Sequence, residues 1–472
     1  MKRITTLLMA LLLAMSALTG CGNDAEKQDN ESAPSSESTT APSTPETPES
    51  SAPATPEVTT PEASTPEASV PDVTVPEATT PDTGSGTIGD YQVTIDSFRL
   101  VADYEGNDAV VIKYLFTNVS DEDGATFLFS ISDLVFQNGI SLPTSFCVDM
   151  DSDSDTKELM PGESTEVEMC YLLTSATADL EVEISDFRSD SKIAKTFSIS
   201  DTPNQDAPPA YPPLDSSNNV DDYNVAIDSY RLETDWDGNS ILIVKYLFTN
   251  VCDDDAACFF RSITDRAFQN GISLEKSYLN NIADNTSRYV KPGFTLEVEV
   301  GYELDSCTAD VVVEAQGLFS FDAQIVSKTF PISDTPNQDT LPEYPPLDSA
   351  NNLGSYNVVI DSCRLFQSAQ GQDVVIVKYL FTNVSDEDAA RFSTSLDYEV
   401  SQNGEELELA YFLDESANYD ESSADRYIKT GVTLAVEVAY KLPNTTDEIV
   451  VEVSEGFSFD DTAPTLTKTF RL

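Results

Sequence analysis

The 472-residue sequence contains no histidine and only one tryptophan. The lack of histidine excludes Ser-His-Asp and Cys-His catalysis and any zinc site that needs an imidazole ligand. No glycine-rich phosphate loop is present either. A pair of carboxylates remains as a catalytic device, but among 83 acidic residues the sequence singles out no pair. We therefore predict that the protein is not an enzyme and has neither a catalytic residue nor a cofactor.

Positive charge is also scarce. Lysine and arginine total 25 against 83 aspartates and glutamates, which gives a formal net charge of −58 at pH 7. Such a charge disfavours unaided binding to nucleic acid or to an anionic membrane, so we expect no nucleic-acid partner. It favours solubility, or a cationic partner.

Long apolar runs are limited to one, between Leu7 and Leu18 near the N-terminus. The run follows two basic residues and is too short for a mature membrane-spanning helix, which is typical of a secretory signal. It ends in Leu18-Thr19-Gly20-Cys21, which resembles the lipobox of bacterial lipoproteins. The resemblance implies removal of residues 1–20 and attachment of lipid to Cys21; the alternative is an ordinary signal followed by a chance cysteine. We expect this lipid to be the protein's attachment to the membrane.

Residues 21–88 are dominated by threonine, proline, glutamate, serine and alanine. They offer almost nothing apolar to bury, so we expect a disordered stalk that lifts the rest of the chain away from the membrane. Frequent proline favours extended conformations of about 3.1 Å per residue.

Three copies of one unit follow the stalk. The segment KYLFTNV occurs without change at 113–119, 245–251 and 378–384. FQNGISL at 136–142 returns unchanged at 268–274 and as SQNGEEL at 401–407. We predict domains at 89–200, 222–333 and 355–472, joined by proline-rich linkers at 201–221 and 334–354. Because the repeat is far longer than solenoid periods, we expect separate beads on a string.

Each copy has the pattern of an antiparallel β protein. Tyr91, Val93 and Ile95 alternate with polar residues, and an Asn-Gly pair such as Asn138-Gly139 favours a tight hairpin turn. About seven strands per copy indicate an all-β chain of three tandem immunoglobulin-like β-sandwiches. In the first copy we expect strands near 91–103, 108–119, 126–137, 140–148, 164–173, 179–187 and 193–199. KYLFTNV, apolar on both faces, is predicted to be a central strand.

The repeats also resemble a known family. KYLFTNV, the FQNG hairpin and the strand that follows Pro-Gly at 161–173 and 292–304 are similar to immunoglobulin-like domains of unknown function in lipoproteins of Gram-positive bacteria, whose sandwich is similar to that of a mycobacterial secreted antigen. The third copy departs from this pattern at Ser401 and Thr430. The resemblance implies a fold and a surface location, but no catalytic residue.

Acidic loops at 121–124, 253–256 and 386–389 raise the question of calcium. Asp151, Asp153 and Asp155 also stand at alternate positions, as the first oxygen ligands of calcium loops do. This run lacks the glycine and glutamate of such loops and occurs in one copy only. A solvated turn is therefore the favoured interpretation, and no metal ligand is assigned.

Six cysteines remain after Cys21, at positions that do not correspond between copies: Cys147, Cys170, Cys252, Cys258, Cys307 and Cys363. They are therefore not a shared disulfide framework. Cys252 and Cys258 bracket an acidic loop and could form a staple; free thiols are the alternative.

Aromatic residues at loop tips could stack on sugars. Trp236 lies in the tip at 234–239, and Tyr104 takes the same place at 102–107. A lone aromatic at a turn more often serves local packing. Any binding site is expected where the copies differ, which is at these tips, at 367–372, and at 149–158, 281–288 and 414–426.

Taken together, these patterns predict a lipid-anchored, non-enzymatic interaction or adhesion protein at the surface of a bacterium, Gram-positive by resemblance. Its partners would be the membrane, through the lipid, and a protein or a cell-wall glycan. The alternative is an extracytoplasmic lipoprotein that binds a solute, a glycan or a cation.

Overall fold

The computed structural model describes residues 84–186, 191–253, 255–279, 282–318, 324–385, 389–411, 413, 415–456 and 464–472. The predicted signal peptide, Cys21 and the predicted stalk up to residue 83 lie outside the described residues. Within the described ranges, no helix is both long and apolar enough to cross a membrane.

The described residues form three repeated β-sheet units. The first contains β1 (Ser85–Ile88), β2 (Tyr91–Ala102), β3 (Asp108–Asn118), α1 (Phe127–Ser130), β4 (Ile131–Gln137), β5 (Ile140–Ser141), β6 (Thr144–Ser145), β7 (Ser164–Leu172), β8 (Leu180–Asp186) and β9 (Lys192–Phe197). The second contains a 3₁₀ turn (Ser216–Asn218), β10 (Asn219–Val220), β11 (Tyr223–Thr234), β12 (Ser240–Asn250), β13 (Ala257–Cys258), α2 (Phe259–Ser262), β14 (Ile263–Gln269), β15 (Ile272–Ser273), β16 (Lys276–Ser277), β17 (Tyr289–Val290), β18 (Thr295–Glu303), β19 (Val311–Gly317) and β20 (Val326–Phe330).

The third unit repeats this order. It contains a 3₁₀ turn (Ser349–Asn351), β21 (Asn352–Leu353), β22 (Tyr356–Gln367), β23 (Asp373–Asn383), β24 (Ala389–Arg391), α3 (Phe392–Ser395), β25 (Leu396–Gln402), β26 (Glu405–Glu406), 3₁₀ turns at Glu415–Ala417 and Glu421–Ala424, β27 (Tyr427–Lys429), β28 (Thr433–Lys441), β29 (Ile449–Glu455) and β30 (Thr465–Phe470). All strand pairs are antiparallel, and the all-β prediction with three repeated units is confirmed.

Each unit has two sheets around one apolar core. In the first unit, one sheet has the order β1-β2-β3-β7-β6, and β4, β5, β8 and β9 lie in the other. The KYLFTNV strand β3 lies between β2 and β7, which confirms its predicted central position. Ile112, Tyr114 and Phe116 are fully buried in the core, whereas Lys113 on the other face forms an ion pair with Glu166 at 2.8 Å. The repeated segment therefore serves the core in every copy.

Two predicted strands differ in detail. The segment 126–137 begins with the helical turn α1, which buries Phe127 edge-on against Phe116 at 5.6 Å between ring centroids. The segment 140–148 yields only the two-residue strands β5 and β6, because the chain crosses from one sheet to the other between them. The second unit has Glu275 where the first has Pro143, and its strands β15 and β16 divide in the same way. Each unit also begins with a short strand before the boundary drawn at 89, 222 or 355, since β1, β10 and β21 pair with the strands that follow them.

The expectation of separate beads is wrong. Ile140 in β5 of the first unit pairs with Val290 in β17 of the second, so one sheet of order β13-β17-β5-β4-β8-β9 contains strands of both units. Ile272 and Ile428 pair in the same way between the second and third units. A sheet continues from one unit into the next because the short strand after the Asn-Gly turn, β5 or β15, lies at the edge of its sheet. A strand of the next unit pairs with this edge.

Candidate interaction surfaces

The junction between the first two units is held by the backbone of the Asn-Gly hairpin. The Lys291 N–H donates to the Gly139 carbonyl at 2.8 Å, and the Tyr289 N–H donates to Ser141 Oγ at 2.8 Å. Arg288 Nε donates to the Ser141 carbonyl at 2.8 Å. Gly139 belongs to the first unit, and a Cβ added to it would lie 2.5 Å from the ring of Phe294 in the second unit. Only glycine therefore leaves room for the second unit at this turn.

Ion pairs also stabilise this junction. The Lys291 ammonium forms ion pairs with Glu181 and with Glu183, the latter at 2.9 Å, and lies 4.7 Å from the centroid of the Phe136 ring. Burial alone would lower the pKa of Lys291, but the two carboxylates outweigh it and raise this pKa. The lysine therefore keeps its charge inside the interface.

The second junction repeats these contacts almost without change. The Lys429 N–H donates to the Gly271 carbonyl at 2.9 Å, and Arg426 Nε donates to the Ser273 carbonyl at 2.8 Å. The Lys429 ammonium pairs with Glu314 and lies 4.3 Å from the centroid of the Phe268 ring. A contact set reproduced twice indicates one defined interface.

The linkers take part in the donor side of each junction. Asn138 donates to the carboxylate of Asp206 at 2.8 Å, and Asn204 donates to Asn138 Oδ1 at 2.7 Å. Asn270 has the same relation to Asp339 and Asn337. The segment SDTPNQD, nearly all of which lies in the predicted linkers, therefore holds the Asn-Gly turn in place.

Exposed aromatic side chains mark the loop-tip end of each unit. Trp236 is 87 % exposed at its predicted tip, and the Asp235 carboxylate holds that tip by accepting the Asn239 N–H at 2.8 Å. Phe146, Tyr278 and Tyr411 occupy equivalent positions in the three units and are 63 %, 84 % and 60 % exposed. In the first unit, Phe146 adjoins the tip because its carbonyl accepts the Tyr104 N–H at 3.3 Å. Large apolar surface that stays in water is a feature of binding surfaces.

A cavity of about 290 Å³ opens beside one of these rings in the second unit. Phe259, Phe260 and Tyr278 line it, with Lys276 and Glu299 among its charged groups. A larger cleft of about 630 Å³ beside Tyr419 and Glu437 in the third unit is more open and more polar. The smaller cavity is the better small-ligand candidate, since such sites are enclosed and mostly apolar with a few polar groups.

A buried polar cluster adjoins this cavity. The Tyr302 hydroxyl donates to Asp265, the hydroxyls of Tyr302 and Tyr246 lie 2.9 Å apart, and Lys276 pairs with Asp265 at 2.8 Å. Burial raises the pKa of both tyrosines well above the ordinary value, so they stay protonated as donors.

The cluster changes between copies. In the first unit Tyr171 donates to Asp133, but Thr144 stands where the second unit has Lys276. In the third, Tyr398 replaces the aspartate. There the hydroxyls of Tyr379 and Tyr440 are buried without a hydrogen-bond partner in the part of the chain that the structure describes. Because the cluster differs between the copies, we infer that it stabilises the core and has no chemical function common to the three units.

The acidic loops provide no metal site among the residues that the structure describes. Among the described residues, no group of three or more acidic or cysteine side chains could hold a metal ion, Asp151, Asp153 and Asp155 included. Residues 254 and 386–388 of the acidic loops lie outside the described residues.

All six cysteines after Cys21 are free thiols. The suggested staple between Cys252 and Cys258 is not formed, and Cys252 Sγ instead donates to the Asp255 carbonyl at 3.1 Å. Cys147 and Cys170 share a small buried cluster on the outer face of the first unit. Burial raises the pKa of Cys170 to about 12.

Sequence reasoning missed most of the junction residues, and only Arg288 and Arg426 lie in segments where a binding site was expected, 281–288 and 414–426. The signal was present, because FQNGISL is identical in the two copies whose hairpins form the junctions and altered in the third. Arg-Tyr-x-Lys at 288–291 and 426–429 likewise occurs only in the two copies that contribute this segment to a junction.

Comparison with known proteins gives a family but no activity. One family model, described as Domain of unknown function (DUF5067), matches residues 67–186, 199–317 and 346–455. No curated protein shows a significant match. Among solved structures, the native conformation of E. coli alpha-2-macroglobulin is 13 % identical with a TM-score of 0.16; the match covers 80 % of this chain and 23 % of that one, and a score this low supports no argument. The chain belongs to the DUF5067 family and contains three tandem copies of its domain.

Proposed function

We propose that this chain is a lipid-anchored protein displayed at the surface of a bacterium and that it acts by binding rather than by catalysis. The segment that ends at Cys21 supports the anchor, and the composition of residues 21–88 supports a spacer. The similarity of the repeats to domains of Gram-positive lipoproteins favours such a host. On this proposal the two-sheet units are immunoglobulin-like sandwiches.

The observation that carries the proposal is the aromatic side chain exposed at the same place in every unit. Phe146, Tyr278 and Tyr411 recur on units that share continuous sheets, so their spacing along the array is defined. A repetitive partner, such as a cell-wall glycan or a multivalent protein, could contact more than one ring at once. Linked contacts of this kind raise avidity without any new interaction.

Removal of the rings tests this proposal. The full chain carrying Cys21→Ser, which prevents lipid attachment, would be titrated against cell-wall fractions and host extracellular proteins. Phe146→Ala, Tyr278→Ala and Tyr411→Ala together should weaken binding roughly tenfold or more, as loss of aromatic hot spots does.

The control is a second triple variant. Leu214→Ala, Leu341→Ala and Leu347→Ala remove apolar side chains that are each 55 % exposed in the linkers. Equal binding by the two triple variants would contradict a role for the aromatic positions.

A small-molecule role is the second candidate, and the mostly apolar cavity of the second unit favours it. A solute, a short glycan or a cation would bind once per chain in this case, because the lining residues Phe260 and Lys276 are replaced by Leu128 and Thr144 in the first unit and by Ser393 and Leu409 in the third. Calorimetry with mono- and disaccharides and with calcium would measure the stoichiometry. Phe260→Ala at the cavity should abolish binding, whereas Leu128→Ala at the equivalent position of the first unit should not.

A further inference from the structure

The two junctions are one head-to-tail interface used twice. The Asn-Gly hairpin of one unit, which we call the donor edge, meets the Arg-Tyr-x-Lys segment of the next unit, which we call the receptor segment. An interface of this kind joins two different surfaces, so each added copy again presents a free donor edge. Unless its ends are blocked, such an interface can propagate into filaments.

The donor edge of the third unit is altered where the junctions make contact. Phe136 and Phe268 lie beneath the ammonium groups of Lys291 and Lys429 and are buried, whereas Ser401 stands at this position in the third unit. The third unit therefore lacks the ring over which the junction lysines lie in the other two.

The strand of that donor edge is altered as well. Ile140 and Ser141, which pair with the second unit, correspond to Glu405 and Glu406, and both glutamates are exposed in β26. Pairing at this edge would bury two carboxylates in place of an isoleucine and a serine. Charged residues on an exposed edge strand are a common protection against pairing with another chain.

The receptor segment of the first unit is altered in a complementary way. Its Ala125–Leu159 bridge corresponds to the pairing of Ala257 with Val290, so the backbone arrangement is retained. Its contact side chains, however, are Lys157, Glu158 and Met160 in place of Arg288, Tyr289 and Lys291. At the first junction Lys291 neutralises Glu181 and Glu183, but the first unit has Met160 at the equivalent position. Glu158 would also bring a negative charge toward Glu405 and Glu406.

We propose that these substitutions make the array self-limiting: the terminal units carry end caps that block head-to-tail association between chains, while the internal positions form the junctions. The partner that the interface fits is therefore another unit of the same kind. The end caps prevent a second copy of the chain from taking that place.

The test restores each end separately in the full chain carrying Cys21→Ser. The donor variant has Ser401→Phe, Glu405→Ile and Glu406→Ser; the receptor variant has Lys157→Arg, Glu158→Tyr and Met160→Lys. Each variant alone should sediment as a monomer, like the parent chain. An equimolar mixture should form a one-to-one complex, and a chain with all six substitutions should form larger oligomers. Because the linkers supply an effective concentration on the order of mM, the mixtures should be measured up to about that concentration.

A reciprocal variant keeps the proposal falsifiable if association is weak. Phe136→Ser, Ile140→Glu and Ser141→Glu place the donor cap inside the first junction. This variant should separate the first two units, seen by small-angle scattering as a larger radius of gyration and by faster proteolysis of residues 201–215. Circular dichroism would verify that each variant folds. A monomeric mixture of folded variants, self-association of the parent chain, or an unchanged first junction would each overturn the proposal.

Discussion

Lys291 of the second domain lies over the ring of Phe136 in the first, with its ammonium 4.7 Å from the ring centroid. The same ammonium pairs with Glu183 at 2.9 Å. The contact therefore combines a cation–π interaction with ion pairs in a partly buried setting, where each is stronger than in water. Lys429 and Phe268 repeat it one domain later. The arrangement of neighbouring domains is thus set by side-chain contacts as well as by the linkers.

Gly139→Ala should open the first junction. Gly139 has φ +75°, and a Cβ there would meet the Phe294 ring at 2.5 Å. Left-handed backbone costs a residue other than glycine about 1–2 kcal/mol, and the clash adds to this cost. Small-angle scattering should show a longer and more variable chain.

Gly404→Ala is the matched control for this change. Gly404 has φ +81° in the same turn, but nothing among the described residues lies within 4 Å of an added Cβ. It should lose local stability without a change in the scattering curve. Similar scattering by both variants would argue that the Phe294 contact does not hold the junction.

Tyr302→Phe should destabilise the second domain by about 1–3 kcal/mol. The change removes the hydrogen bond to Asp265 and leaves Tyr246 without its partner hydroxyl, and unsatisfied buried polar groups carry a cost of this size. Hydrogen exchange resolved by domain is the suitable measurement, since the three domains need not unfold together.

Tyr379→Phe in the third domain removes a hydroxyl that has no hydrogen-bond partner among the described residues. It should be close to neutral or slightly stabilising. A loss of protection equal to that of Tyr302→Phe would contradict the importance of the aspartate–tyrosine bond.

Much of the fold could be predicted from the sequence because its causes are local. Alternation marked β2, and the φ +51° of Asn138 confirms the predicted Asn-Gly turn. The junctions could not be predicted in this way, because pairing between Ile140 and Val290 spans 150 residues and leaves no periodic pattern. That information lies in the differences between copies: phenylalanine at 136 and 268 against Ser401, and Arg-Tyr-x-Lys in the second and third copies but not in the first.

Thiol reactivity should separate the cysteines by burial. Cys307 is exposed and should be alkylated rapidly at pH 8 in the folded chain. Cys170 is buried with a pKa of about 12, so at pH 8 almost none of it is the reactive thiolate. Mass spectrometry after brief treatment with iodoacetamide should find Cys307 modified and Cys170 intact until the chain is denatured. Early modification of Cys170 would contradict its burial.

The ion pair between Arg231 and Glu299 should make the second domain sensitive to acid. Arg231 Nη2 lies 3.0 Å from Glu299 Oε2, and the hydrogen bond from Arg231 lowers the pKa of this carboxyl despite its burial. A pKa lower in the folded than in the unfolded chain stabilises the fold above the unfolded value of about 4.3, and this contribution is lost as pH falls through the folded pKa. Arg231→Gln should therefore lower the urea midpoint at pH 7 and have less effect at pH 3, and NMR titration should show the Glu299 pKa returning upward. Arg471→Gln, at the exposed C-terminus, is the control and should give the same small difference at both pH values. A difference between parent and Arg231→Gln that is as large at pH 3 as at pH 7 would show that the arginine acts by packing and not through the charge of Glu299.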